Sequence, residues 1–343
     1  MRRAEHQIHG IINELIERRI LWGASYSFLS GEGQKLFYKG VQGVMEPYSD
    51  RKILPGMYYD LASLSKVVGT TTRVLQLVEE GRVKLETPVC EILPRFRYPE
   101  ITVGNLLLHD SGLMAELLHR ESLTKENILE RLYETPTVRP AGTGFLYSDT
   151  GFILLGLLVR QLDGVPLEES FRTHIFLPMH MTKTSYITNV MVDDKAEEWY
   201  IPTECTAARG CIHGEVHDGK AYLLSQNHIQ SGSAGLFSTL EDMALFARGY
   251  LDRTPRLFGG EVYQQLLTTS SFGRTYGWSK EYGASTLYHT GFSGTSMLLD
   301  METGRGFVLL TNRIHPTRDN PEFLEARKEM NRIFRNHFPF FDK

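Results

Sequence analysis

Three short runs of the sequence carry side chains that could do chemistry. The first is Ser63-Leu64-Ser65-Lys66, a hydroxyl and an amine three residues apart. On a helix that spacing puts both groups on one face, close enough for the amine to hydrogen-bond the hydroxyl. Serine is a weak nucleophile until a neighbouring base takes its proton. A serine at a helix start also sits at the positive end of the dipole, which favours charge developing on an attacked carbonyl. The same four residues also read as an N-cap serine followed by a solvated lysine.

The second run is Tyr147-Ser148-Asp149, at the start of a helix that Gly164 closes. A phenol beside an ammonium can have its pKa lowered enough to act as a base. On the plainer reading Asp149 is a helix N-cap and Tyr147 packs as an amphipathic aromatic. The third run, His289-Thr290-Gly291, lies in a strand-like stretch. A glycine inside a strand often marks close backbone approach by a ligand, or else a small-residue bulge at a sheet edge. Cys205, Cys211, His213 and His217 fall within thirteen residues and are acceptable zinc ligands. Their spacing matches no finger or catalytic helix, so no metal is expected. His217 and Asp218 are expected to fix a loop near the site, and the cysteines to be buried small residues.

The elements that must hold these runs follow from periodicity. Ile8, Ile11, Ile12, Leu15 and Ile16 recur at helical spacing, which predicts an amphipathic helix over 6–20. Ala24–Ser30 and Gln34–Val41, joined by Gly31-Glu32-Gly33, read as a hairpin. Leu61–Glu80 reads as one helix ended by Gly81, and Asp149–Asp163 as another. Ser238-Thr239-Leu240-Glu241 is a capping box opening a helix to about Leu251. Strands are expected again at Ser285–Thr290, Ser296–Asp300 and Gly306–Asn312, then a helix from Pro321 to about Phe338. Strands thus sit at both ends of the chain and helices in the middle. The economical fold is α+β: an antiparallel sheet flanked by terminal helices, with an all-helical domain inserted. The expected division is 1–80 with 235–343 as the discontinuous α/β sheet domain and 81–234 as the mainly helical one, the active site at their interface.

Ser-x-x-Lys, then Tyr-Ser-Asp some eighty residues on, then His-Thr-Gly near the C-terminus, resembles the order found in class C β-lactamase-like serine hydrolases. That family includes penicillin-binding proteins, D-stereospecific peptidases and lactamase-like esterases, and its fold is a β-lactamase/transpeptidase-like one. Thr102 to Gly112, Gly235 to Thr239 and Val216-His217-Asp218 are also similar to it. The resemblance runs from about Tyr26 to Asn312. It implies that Ser63 attacks a carbonyl while Lys66 and Tyr147 manage its proton. It also implies an oxyanion hole from the Ser63 and Phe292 N–H groups, and substrate contacts from Asp149, His289, Thr290 and Gly291. Two departures stand out. The second motif usually ends in Asn, whereas an ionised Asp149 only accepts hydrogen bonds. The third usually begins with a charged Lys in β-lactamases, and His289 is mostly neutral at pH 7.

With 37 basic and 41 acidic side chains and no basic cluster, the chain has no nucleic-acid signature. The longest uncharged apolar run, Gly151 to Val159, is too short for a membrane span. The N-terminus lacks the apolar core of a secretory signal, and three cysteines make no disulfide framework, so the expected compartment is the cytoplasm. No Gly-x-Ser-x-Gly elbow, P-loop or dinucleotide fingerprint is present, and no cofactor is implied. The sequence sets no oligomeric state. The expectation is an acyl-enzyme serine hydrolase acting on a small ester, a D-amino-acid peptide or a β-lactam-like substrate. The alternative is a non-catalytic protein of the same fold that binds penicillin or peptidoglycan fragments. Phe145, Tyr288 and Phe292 are candidates for an apolar pocket, or for core.

Overall fold

The computed structural model describes residues 2–47, 49–117, 120–187 and 197–336. Helix α1 (Arg2–Glu17) leads into the hairpin β1 (Gly23–Ser30) and β2 (Gly33–Gly40), and β3 (Tyr59–Asp60) precedes the first motif. The expected helix from Leu61 is three turns of different width: a 3-10 turn at Ala62–Leu64, a wide π turn at Lys66–Thr71, then α2 (Thr72–Glu79). Next come α3 (Val89–Ile92), α4 (Val103–Leu108), α5 (Ile128–Tyr133), α6 (Asp149–Asp163) and α7 (Leu167–Phe171). They are followed by β4 (Ser185–Tyr186), the hairpin β5 (Cys205–Thr206) and β6 (Gly210–Cys211), α8 (Gly219–Ser225), β7 (Leu236–Ser238), α9 (Leu240–Leu251) and α10 (Gly260–Thr268). Strands β8 (Thr286–Thr290), β9 (Ser296–Asp300) and β10 (Arg305–Thr311), then α11 (Pro321–Asn336), complete the order. The expected end of that helix at Phe338 lies outside the described residues.

Both ends of the chain build one antiparallel sheet, in the order β2-β1-β10-β9-β8. Strand β1 is buried along all its length, as its run of Ala, Tyr, Phe and Leu requires of a strand covered on both faces. On one face Ile8, Ile12 and Leu15 of α1 and Phe323, Met330 and Phe334 of α11 pack on Tyr26, Phe28, Leu298 and Phe307. The other face belongs to a larger cluster that continues without a break from Leu29, Leu299 and Val308 into Leu106, Phe152 and Leu155. The segment between the sheet halves is therefore seated on the sheet by shared core.

Four local expectations need correction. The inserted segment is not purely helical: β4 pairs with β7, and β5 with β6. Two-residue strands leave no periodicity to read. Ser148, not Asp149, caps α6, its hydroxyl accepting from the Gly151 N–H. Likewise Thr239, not Ser238, caps α9, accepting from the Asp242 N–H. Cys205 and Cys211 face each other across the hairpin as a half-buried disulfide rather than as buried small residues. Among the described residues no single helix is long and apolar enough to cross a membrane.

Candidate active site

The turn that carries Ser63 is held from three sides. Ala62 adopts a φ of 46°, a left-handed conformation costly for a residue with a Cβ, and is stabilised there by its neighbours. Its N–H donates to the buried Asp60 carboxylate at 2.8 Å, and the other Asp60 oxygen accepts from the His217 N–H at 2.8 Å. Burial pushes the Asp60 pKa up, against the pull of those two hydrogen bonds. The β8–β9 turn closes the third side: Ser293 Oγ donates to the Asp60 carbonyl at 2.7 Å and Thr295 Oγ1 to that of Leu61 at 3.0 Å. A Cβ at Gly291 would collide with Leu61 O and Thr295 Oγ1, so glycine is what permits this approach. The close backbone contact expected at Gly291 is thus made by the protein's own chain rather than by a ligand. It brings the Phe292 backbone beside the turn that carries Ser63.

Lys66 is fully buried and its ammonium is surrounded by polar groups. It donates to Ser63 Oγ at 2.9 Å and to the Ser233 carbonyl at 2.9 Å, and it pairs with Asp149 Oδ1 at 2.7 Å. Ser233 reaches it because the chain at Gly232 lies directly on Gly156 of α6, where any side chain would clash. Burial alone would discharge Lys66, but Asp149 and Tyr147 outweigh it and hold its pKa above the ordinary lysine value. Burial likewise works against the charge of Asp149, yet Lys66 and Lys220 draw its pKa well below the usual carboxylate range. Lys220, on α8, pairs with the other Asp149 oxygen at 3.1 Å and with Glu116 at 3.1 Å.

Tyr147 stands over this group, its ring centroid 5.1 Å from Lys66 Nζ. It stacks on His109 at 4.5 Å and tilts against His289 at 6.2 Å. Burial, reinforced by Arg274 and Lys66, pushes both histidines far below their ordinary pKa, so each imidazole is neutral. His109 Nδ1 accepts from the Ser148 N–H at 3.1 Å, which holds the second motif in place. His289 Nδ1 lies 2.9 Å from the Thr290 carbonyl. The Arg274 guanidinium lies 5.9 Å from the Tyr147 ring centroid and 5.1 Å from that of Phe145.

Two adjoining cavities share the Tyr147 wall. One, of about 250 Å³, is lined by Ser63, Asp149, Asp218, Lys220, Phe292 and Arg318 among others. The other, of about 290 Å³, runs along β8 past Arg274, Ser279, His289 and Thr290. Phe292 is sandwiched at the first cavity's edge, with His217 stacked at 5.6 Å and Arg313 and Arg318 over the ring at 5.1 and 5.2 Å. Glu204 anchors that edge, accepting from Arg318 Nε at 2.7 Å and lying 2.9 Å from His217 Nε2. Burial would raise the Glu204 pKa, but Arg318 and His217 bring it down to about 2.

The structure brings Ser63, Lys66, Tyr147, Asp149, His289, Thr290 and Phe292 around these cavities, with Gly291 supporting them. His217 and Asp218 line the first cavity. His213 instead faces the Tyr200 carbonyl, 2.7 Å away, and among the described residues no three metal-binding side chains converge. Of the apolar candidates, Tyr288 packs with the terminal helices and also lines the cavity along β8, Phe292 lines the first cavity, and Phe145 is exposed. Lys220, Arg274, Glu116 and Asp60 were missed. No spacing rule announces an isolated lysine or arginine that folding delivers to a site.

The Beta-lactamase family model matches residues 23–329. The chain is 27% identical to a "Putative D-alanyl-D-alanine carboxypeptidase" of Escherichia coli (strain K12), over 92% of this chain and 80% of that one. It is 26% identical to an "N-acetylmuramyl-L-alanine amidase" of Bacillus subtilis (strain 168), over 91% of this chain and 82% of that one. Among solved structures, "EstCE1, a hydrolase with promiscuous acyltransferase activity" superposes with a TM-score of 0.74 at 18% identity, covering 94% of this chain and 98% of that one. From Gly23 to Glu329, and with a fold to match, the chain belongs to the Beta-lactamase family.

Proposed function

We propose that the protein is a serine hydrolase that works through an acyl-enzyme on Ser63, taking a substrate whose leaving group carries a carboxylate. The observation behind the first half is the 2.9 Å hydrogen bond from a fully buried Lys66 to Ser63 Oγ in the wall of a cleft. Lys66 and Tyr147 together accept the Ser63 proton as Oγ bonds to the substrate carbonyl carbon. The Ser63 and Phe292 N–H groups receive the oxyanion. As the tetrahedral adduct collapses, the bond to the leaving group breaks and Tyr147 returns the proton to it. Water then attacks the ester on Ser63 along the same path, and the acid product and free serine result.

The second half rests on Arg274. In the cavity along β8 this guanidinium stands near Thr290, while neutral His289 supplies no charge there. Arginine is the side chain best matched to a planar carboxylate. A peptide ending in a free carboxylate fits, in keeping with the carboxypeptidase named among the relatives. A second reading, a small neutral ester, is favoured by Asp149: ionised, it cannot donate to the acyl-amide oxygen of a peptide substrate. The test compares hydrolysis of an acyl-D-alanyl-D-alanine, the same peptide amidated at its C-terminus, and a chromogenic short-chain ester. Preference for the free acid over its amide supports the carboxylate reading. Turnover of the ester alone supports the second. Stoichiometric penicillin binding without turnover of any substrate would leave only a binding role.

A further inference from the structure

We propose that Lys220 is a positioning residue for the nucleophile's base: through Asp149 it sets the pH at which the Lys66–Tyr147 pair can take the Ser63 proton. This rests on the acyl-enzyme reading above. Asp149 is shared between two ammonium groups, Oδ1 facing Lys66 at 2.7 Å and Oδ2 facing Lys220 at 3.1 Å. The Lys220 side chain is 6% exposed, so the second interaction is buried and poorly screened. Asp218 caps α8 by accepting from the Ala221 N–H at 2.8 Å, which fixes the turn that presents Lys220.

Sharing matters because the Lys66–Tyr147 pair must shed a proton before it can receive one. A carboxylate 2.7 Å from a buried amine, and engaged with nothing else, would bind that proton tightly. Lys220 draws part of the carboxylate's charge and places a second cation near Lys66. Both effects loosen the hold on the proton. The other groups facing Lys66 leave this balance to the two lysines and Asp149. His109 and His289 are neutral by burial, Arg274 is a fixed cation, and Ser63 and the Ser233 carbonyl carry no charge. Lys220 in turn faces Asp149, Glu116 and, at 3.9 Å, Asp218. Burial opposes its charge, but those carboxylates hold its pKa well above the ordinary lysine value, so it stays charged throughout the working pH range.

The experiment is the rate of Ser63 labelling by a fluorophosphonate, followed by intact mass across pH. Wild type is compared with Lys220→Gln, Lys220→Met, Asp149→Asn and the Lys220→Gln/Asp149→Asn double variant. Either Lys220 variant should move the acid limb upward by about one pH unit, with the rate recovering on the alkaline side. Asp149→Asn should move it downward, and the double variant should lose the upward shift. Methionine keeps the aliphatic stem packed, so one variant remains if glutamine does not fold. A rate lowered by the same factor at every pH, with the limb unmoved, would mean a purely structural lysine and overturn the proposal. Wild type unlabelled at Ser63 would instead overturn the acyl-enzyme reading, and this proposal with it.

Discussion

Gly291 lies against Leu61 so closely that the turn after β8 and the turn before Ser63 leave no room for a side chain between them. This contact, with the Thr295 and Ser293 hydroxyls donating across it, ties the Phe292 amide to the turn that carries Ser63. Gly291→Ala should push the two turns apart and misplace one oxyanion donor. The expected cost is about 10²–10³ in kcat with KM little changed, the range for losing such a donor. Steady-state kinetics on a chromogenic ester would show it, and an unaltered kcat would dissociate this turn from the chemistry.

The Tyr147 ring stacks on His109, a contact that phenylalanine would keep. Tyr147→Phe should therefore keep the fold and lose proton transfer alone. A fall of about 10²–10⁴ in kcat is expected, with the melting temperature close to wild type. Full activity in the phenylalanine variant would remove Tyr147 from the mechanism.

Arg274 and Glu281 both line the cavity along β8, and on the proposed reading the guanidinium is the group that meets a substrate carboxylate. Arg274→Gln should cost about 10- to 100-fold in kcat/KM on substrates with a free carboxylate, the weight of a hydrogen bond to a charged group. Neutral esters should be affected severalfold less. An equal loss on both would place Arg274 in the fold rather than in recognition.

His109 and His289 give the stability of the protein a defined pH dependence. Both are buried as neutral imidazoles with pKa values well below 6.5. As pH falls through about 6.5 the unfolded chain takes up protons that the folded one refuses, so stability present above that pH is lost below it. Each histidine contributes up to about 1.4 kcal/mol per pH unit in that window. Urea unfolding at a series of pH values should show the slope, and His289→Gln should make it shallower. A slope unchanged by the substitution would contradict the neutral, buried state.

Much of this site was legible before folding because its parts sit in local signals. Ser63 and Lys66 share one helical repeat, Tyr147 precedes a helix closed by a glycine at a φ of 70°, and His289 lies in a strand. The α6 boundaries follow from its apolar run and from Gly164. What could not be read depended on distant partners. Arg274 and Lys220 carry ordinary surface-type side chains, and only the packing of α8 and of the segment between α10 and β8 near Tyr147 makes them part of the cleft. The Asp60 carboxylate ties Ala62 to His217, a separation of more than 150 residues that no periodicity encodes. The Cys205–Cys211 bond needed the hairpin register, which two-residue strands do not announce.

The central claim is that Ser63 is a nucleophile activated by Lys66 and Tyr147. Its most direct test is the intact mass of wild type and Ser63→Ala after incubation with a fluorophosphonate, with the modified peptide then sequenced. One adduct on wild type, at Ser63 and absent from Ser63→Ala, is the result the geometry requires. Wild type left unmodified, or Ser63→Ala modified to the same extent, would contradict it.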